Sequence, residues 1–116
     1  MNLKKKTMEL KNWAVVGATT KKNRFGYKIV KKLKENGYNV FPVNPKAEEV
    51  AGLKCYDNLS SIEAQIDVVD MVINPKHGIK VMQEINKLEI KYVWLQPGTR
   101  SQEIRDFAAE NEIDLI

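Results

Sequence analysis

The residues with the most evident chemistry form one loop, Gly17-Ala18-Thr19-Thr20-Lys21-Lys22-Asn23-Arg24-Phe25-Gly26. An apolar run, Trp13–Val16, leads into it, and a helical pattern starts at its second glycine. Gly17 permits a sharp turn and lets a phosphate approach the main chain, and Gly26 lets a helix start press against the strand. Thr19 and Thr20 offer hydroxyls, and the amides near Gly26 lie at the positive end of a helix. Lys21, Lys22 and Arg24 add cations. Arg24 is the strongest candidate among them, because a guanidinium fork holds phosphate through two bonds. The G-x-G-x-x-G spacing of a dinucleotide fingerprint is absent, and so many cations suit more than one phosphate group.

A second signal recurs along the chain. Val43-Asn44-Pro45-Lys46, Ile73-Asn74-Pro75-Lys76 and Leu95-Gln96-Pro97-Gly98 each place a side-chain amide and a proline after an apolar run. Proline fixes φ and stops strand pairing, which presents the preceding amide at the strand's end. In a parallel sheet these ends share one edge, where open α/β sheets hold their ligands. The tip of the second strand also tests the sugar. An NAD site expects an acid about 20 residues past the glycines, accepting from ribose hydroxyls. Asn44-Pro45-Lys46 contains none, and Lys46 stands where a ribose phosphate would lie. That leaves coenzyme A or NADP.

The elements that must position these residues alternate. Strands are expected at Trp13–Gly17, Tyr38–Val43, Asp67–Ile73, Tyr92–Leu95 and Ile113–Ile116, with a short one at Leu53–Tyr56. Pro42 predicts that the second strand loosens near its end. Helices are expected at Gly26–Asn36, Pro75–Leu88 and Ser101–Asn111, with Gly37 as a left-handed stop. Ser60 and Glu63 have capping-box spacing, which predicts a helical turn from Ser60. Strand and helix in alternation imply right-handed crossovers and a parallel sheet. The expected fold is α/β: a single Rossmann-like domain over 1–116, a five-stranded parallel sheet flanked by helices, preceded by an N-terminal segment at 1–11.

With 116 residues, 43% of them hydrophobic and 29% charged, the chain reads as one soluble globular domain. No apolar run reaches the roughly 20 residues of a membrane helix, and Met1–Lys11 lacks the apolar core of a secretory signal. Cys55 is the single cysteine, which fits a reducing, cytoplasmic setting. The net charge of +4 comes from dispersed lysines, with Lys28, Lys31, Lys32 and Lys34 mostly on the solvent side of one helix. Neither nucleic acid nor membrane is expected as a partner. His77 is the sole histidine, at a helix start beside the expected crevice, and Asp67 and Asp70 sit within a strand and read as structural. No metal cluster, nucleophile elbow or Walker loop is present in the sequence.

VVGAT, Gly26-Tyr27, VFPVNPK, GLKCY, DVVDMV, NPKHG and VWLQPGT resemble, in order, the small CoA-binding proteins. Through them the chain is similar to the nucleotide-binding domain at the start of the succinyl-CoA synthetase α subunit. The resemblance spans Trp13 to Ile116. It implies that Gly17, Ala18, Thr19 and Arg24, with Phe25 and Gly26, surround the phosphates. Val43, Asn44, Pro45 and Lys46 would hold the adenosine end, while Ile73, Asn74, Pro75 and Lys76 line the crevice. Gln96 and Gly98 would face the pantetheine. Many relatives carry an arginine where this chain has Asn74, and many continue past the fifth strand. The resemblance implies non-catalytic binding of coenzyme A or a short acyl-CoA. The alternatives are an NADP-binding oxidoreductase fragment and a nucleotide-sensing module that reports to a protein partner.

Overall fold

The computed structural model describes residues 2–116. A short helix, α1 (Leu3–Met8), precedes β1 (Asn12–Val16), α2 (Phe25–Glu35) and β2 (Asn39–Val43). A small hairpin, β3 (Glu49–Val50) with β4 (Leu53–Lys54), and a single 3-10 turn (Leu59–Ser61) come next. The chain continues through β5 (Val68–Met71), α3 (Pro75–Lys87), β6 (Tyr92–Leu95), α4 (Gln102–Glu110) and β7 (Asp114–Leu115). Five strands form one parallel sheet in the order β2-β1-β5-β6-β7. The order reverses between β1 and β5, so their C-terminal ends flank the crevice expected at such a switch point.

Alternation along the strands sorts the core into two layers. Ala14, Val16, Val69, Met71, Val93 and Leu95 pack one way, against Met82 and Ile85 of α3 and Ile104 and Ala108 of α4. Trp13, Val15 and Val68 pack the other way, against Val30 and Leu33 of α2. Both faces of β1 and β5 are covered, which explains their unbroken apolar content. Gly37 stops α2 as expected: its φ is +84°, and the Tyr38 amide donates back to the Leu33 carbonyl at 3.1 Å.

Two local expectations are corrected. Pro42 does not loosen β2, whose register with β1 runs through Val16 opposite Val43. β2 is an edge strand, where a missing donor costs no ladder bond, and the Tyr56 amide donates to the Pro42 carbonyl at 2.9 Å. Ser60 does not start a capping box. The turn begins one residue earlier, capped by the Asn58 carboxamide, which accepts from the Ser61 amide at 2.9 Å. The N-terminal segment contains helix α1, capped by Asn2, whose side chain accepts from the Lys4 amide at 2.9 Å. No helix among the described residues is long and apolar enough to cross a membrane.

Candidate ligand crevice

The loop from β1 to α2 is tightly constrained at its glycines. Gly17 has φ +98°, and a β-carbon there would strike the Val72 carbonyl oxygen and come within 2.7 Å of Ile73 Cγ2. A β-carbon on Gly26 would collide with the Gly17 carbonyl oxygen and lie 3.2 Å from Ala18 Cα. The first glycine therefore lets β1 pass the end of β5, and the second lets α2 begin against the turn itself. Arg24 occupies the cap position of α2 and makes no side-chain cap bond. A guanidinium has no acceptor, so the Arg24 side chain offers the first turn no capping oxygen, and its main-chain carbonyl accepts from the Tyr27 and Lys28 amides, leaving those of Phe25 and Gly26 without a cap from this residue. That is the arrangement in which a helix start accepts an anion.

Two hollows of about 390 Å³ each meet at Gly17 and Thr19. One is polar and holds Lys21, Arg24, Phe25 and Gly26 with Val72. Lys21, Arg24 and Phe25 are exposed, Gly17, Thr19 and Val72 are half-buried, and Gly26 is buried. The other is mainly apolar, walled by Val16, Val43, Leu59, Ile73 and Val81, and it also takes in Ala18, Asn44 and Pro45. Together they run across the C-terminal edge of β2, β1 and β5. Ten of the sixteen residues nominated from sequence are thus brought together: Gly17, Ala18, Thr19, Arg24, Phe25, Gly26, Val43, Asn44, Pro45 and Ile73.

The other six lie outside these walls. Lys46 is exposed on the lip beside Pro45. Asn74, Pro75 and Lys76 form the first turn of α3, where the Asn74 carboxamide caps the helix by accepting from the Lys76 amide at 2.9 Å. Gly98 is an exposed turn residue with φ +87°. Gln96 turns to the α2 side of the sheet, where its Nε2 donates to Asp70 Oδ1 at 3.0 Å and Oδ2 at 3.2 Å. The amide of Asn44 is also engaged internally. Its Nδ2 donates to the Ala18 carbonyl at 2.8 Å, and its Oδ1 accepts from the Lys46 amide at 2.8 Å. The repeated amide–proline endings therefore serve first to build the rim: one ties loop to loop, one caps a helix, and one holds a buried carboxylate.

Sequence reasoning set His77 beside the crevice, where it is found, but did not nominate Val16, Asp57, Asn58, Leu59, Val81 or Glu84, which with it complete the apolar hollow. Glu84 is already committed, accepting from the Ser60 hydroxyl at 2.7 Å and its amide at 3.1 Å. Asp57 is exposed at the lip, bringing to the crevice the carboxylate that the β2 tip lacks. The signal for it was weak, because it arrives through an irregular segment pinned by the Asn44 main-chain N–H donating to the Tyr56 carbonyl at 2.9 Å. Cys55 is buried, and desolvation pushes its thiol up from the usual range, against nucleophilic use. No group of histidine, cysteine and acidic residues with metal-binding geometry occurs among the described residues.

Comparison with known proteins gives this geometry its context. Residues 11–116 match the family model described as CoA binding domain. The chain is 32% identical over 106 residues to an ADP-forming acetate–CoA ligase of Methanocaldococcus jannaschii, covering 91% of this chain and 15% of the ligase. It is therefore similar to one small part of a much longer enzyme. It is 29% identical over 93 residues to the uncharacterized protein YneT of Bacillus subtilis, covering 80% of this chain and 69% of that one. Among solved structures, a hypothetical protein from Pyrococcus horikoshii OT3 superposes with a TM-score of 0.92 at 36% identity, over 97% of this chain and 80% of that chain. A five-stranded parallel sheet with a glycine-bounded, cationic loop at its switch point, matched over nearly its whole length, places the chain in the CoA binding domain family.

Proposed function

We propose that this protein binds coenzyme A or a short acyl-CoA across the two joined hollows, with no catalysis of its own. The observation that carries the reading is the meeting of a cationic hollow and an apolar one at Gly17 and Thr19. Coenzyme A has the matching composition: a charged pyrophosphate flanked by an adenosine and a largely neutral pantetheine arm. The uncapped start of α2 with Lys21 and Arg24 suits the pyrophosphate. Thr19 adds a hydroxyl, although its Oγ1 already accepts from the Lys21 amide at 3.2 Å. Val43, Asn44 and Pro45 offer a surface for the adenosine, and Lys46 beside them supplies a cation to a phosphate on its ribose. Ile73 and the adjoining wall suit an uncharged moiety. On this reading Asn74, Pro75 and Lys76 support the rim, Gly98 meets only a portion of the ligand that extends beyond the crevice, and Gln96, turned to Asp70 on the α2 side, does not contact it.

Isothermal titration with coenzyme A, dephospho-coenzyme A, NADP and NAD tests this directly. Coenzyme A is expected to bind best, and Lys46→Ala is expected to shrink its advantage over the dephospho form by about tenfold, the worth of one charge-assisted bond. A preference for NADP would replace the proposal with the oxidoreductase reading. Equal affinity for coenzyme A and its dephospho form would remove Lys46 from the site.

A further inference from the structure

A third hollow, of about 470 Å³, opens on the α2 side of the sheet and shares no lining residue with the crevice. Its walls include Trp13, Trp94 and Tyr38, and its polar groups include Asp70 and Gln96. The rings are contiguous. Trp13 and Tyr38 meet edge-on with centroids 5.8 Å apart, and Trp13 and Trp94 lie 5.9 Å apart at a tilt. Helix α1 helps to close this side, for the Trp94 indole donates to the buried Thr7 hydroxyl at 2.9 Å. The Trp13 indole donates to the Leu10 carbonyl at 2.9 Å, and the Tyr38 hydroxyl to the Met8 carbonyl at 2.5 Å. The donors of all three rings are thereby spent on the N-terminal segment. None is directed at the carboxylate that shares the hollow.

Asp70 is 4% exposed, and its partner is the single Gln96 amide nitrogen. A carboxylate offers about four lone-pair sites, so one shared N–H leaves most of its acceptor capacity unused. A buried anion in that condition is costly unless a cation joins it. Burial raises the acid well above its usual range and only the Gln96 bond opposes this, with no neighbouring cation contributing. Lys32, exposed on α2, is the one cation among the described residues lining the hollow. The faces of aromatic rings attract a desolvated cation, and an apolar one most readily, since its hydration is easily lost.

We infer that the hollow bounded by Trp13, Tyr38 and Trp94 is a binding site for a small alkylammonium compound, whose charge pairs with the Asp70 carboxylate and whose carbon groups lie against the half-buried Trp94 ring and the side of the Tyr38 ring not taken by the Lys11 ammonium, with the buried Trp13 behind them. Gln96 orients the carboxylate, and α1 is the wall that makes the site concave. The site is independent of the crevice, so neither reading depends on the other.

The full chain carries its own reporter, because its two tryptophans both line this hollow. Choline chloride, titrated at mildly alkaline pH and constant ionic strength, is expected to change the tryptophan emission along a saturable curve. The neutral isostere bearing a tert-butyl group in place of the trimethylammonium is expected to give no such curve. Asp70→Asn, which preserves shape, is expected to weaken choline by at least about tenfold, and Lys32→Met to tighten it by removing the competing cation. Circular dichroism of both variants checks that they fold. A choline response that stays linear, an equal response to the neutral isostere, or an Asp70→Asn variant that binds choline unchanged would each overturn the inference. Coenzyme A titrations report separately on the crevice.

Discussion

Asp70 shows how a single residue takes a meaning that its position in a strand does not reveal. It lies opposite Val15 on one side and Trp94 on the other, inside an otherwise apolar layer. Burial pushes its carboxyl from 3.8 up to about 6, and the Gln96 amide only partly opposes the shift. Because the folded value is the higher one, the folded state holds the proton more tightly than the unfolded chain does. The associated stability is fully present below the unfolded value and is lost as pH rises through about 6. At neutral pH the ionised group is therefore a net cost, of about 2–3 kcal/mol by linkage. Asp70→Asn removes the charge and keeps an oxygen for Gln96. Urea unfolding is expected to show this variant more stable than the parent by about 2 kcal/mol at neutral pH, with the gap closing toward about pH 4. A gap that stays constant with pH would mean that Asp70 does not titrate in this range. If the gain appears as choline binding is lost, the carboxylate has been kept at the expense of stability, as functional groups often are.

At the scale of elements, the loop between β1 and α2 was legible because its glycines are required by close approach and not by flexibility alone. Gly26 is buried, and its α-carbon sits where any side chain would collide with the carbonyl of Gly17. Gly26→Ala is therefore expected to push α2 off the turn, costing about 1–3 kcal/mol as an overpacked site. The same displacement moves the uncapped helix start away from the cationic hollow, so affinity for coenzyme A is expected to fall in the fraction that remains folded. Thermal unfolding and titration of one sample separate the two effects, and an unperturbed midpoint would show that the turn has room to yield. The same kind of contact explains what the sequence did not disclose. The spacing of Ser60 and Glu63 was outcompeted by Asn58, which caps the turn one residue earlier, and by Glu84, which reaches in from α3 to hold Ser60. Helix α1 is six residues long, too short for a readable period, and it is held by the distant ring donors of Trp94 and Tyr38, while the Trp13 indole fixes Leu10 just beyond it.

At the scale of the whole molecule, strand–helix alternation was enough to specify a parallel sheet and the edge at which a ligand would lie. Which way each amide turned was not, because Asn44, Asn74 and Gln96 are chemically alike and their partners come from Ala18, Lys76 and Asp70. Side-chain destination is a tertiary property, and similar endings diverged once different neighbours were folded against them. The crevice itself draws on β1, β2, β5, α2, α3 and the irregular segment around Asp57, so a ligand that spans it ties together parts of the chain far apart in sequence. Such a ligand binds only the assembled sheet, and its binding free energy adds to folding stability. Coenzyme A at about a hundred times its dissociation constant is expected to stabilise the fold by about 2.7 kcal/mol. For a chain of 116 residues that corresponds to a rise of roughly 10 °C in the thermal midpoint. Added salt screens exposed cations such as Lys21, Arg24 and Lys46, so the rise is expected to shrink with ionic strength. Scanning calorimetry over a salt series reads both. A midpoint unmoved by saturating coenzyme A would mean that the two hollows do not act as one site. A rise indifferent to salt would assign the affinity to the apolar wall and the main-chain amides rather than to the cations of the loop.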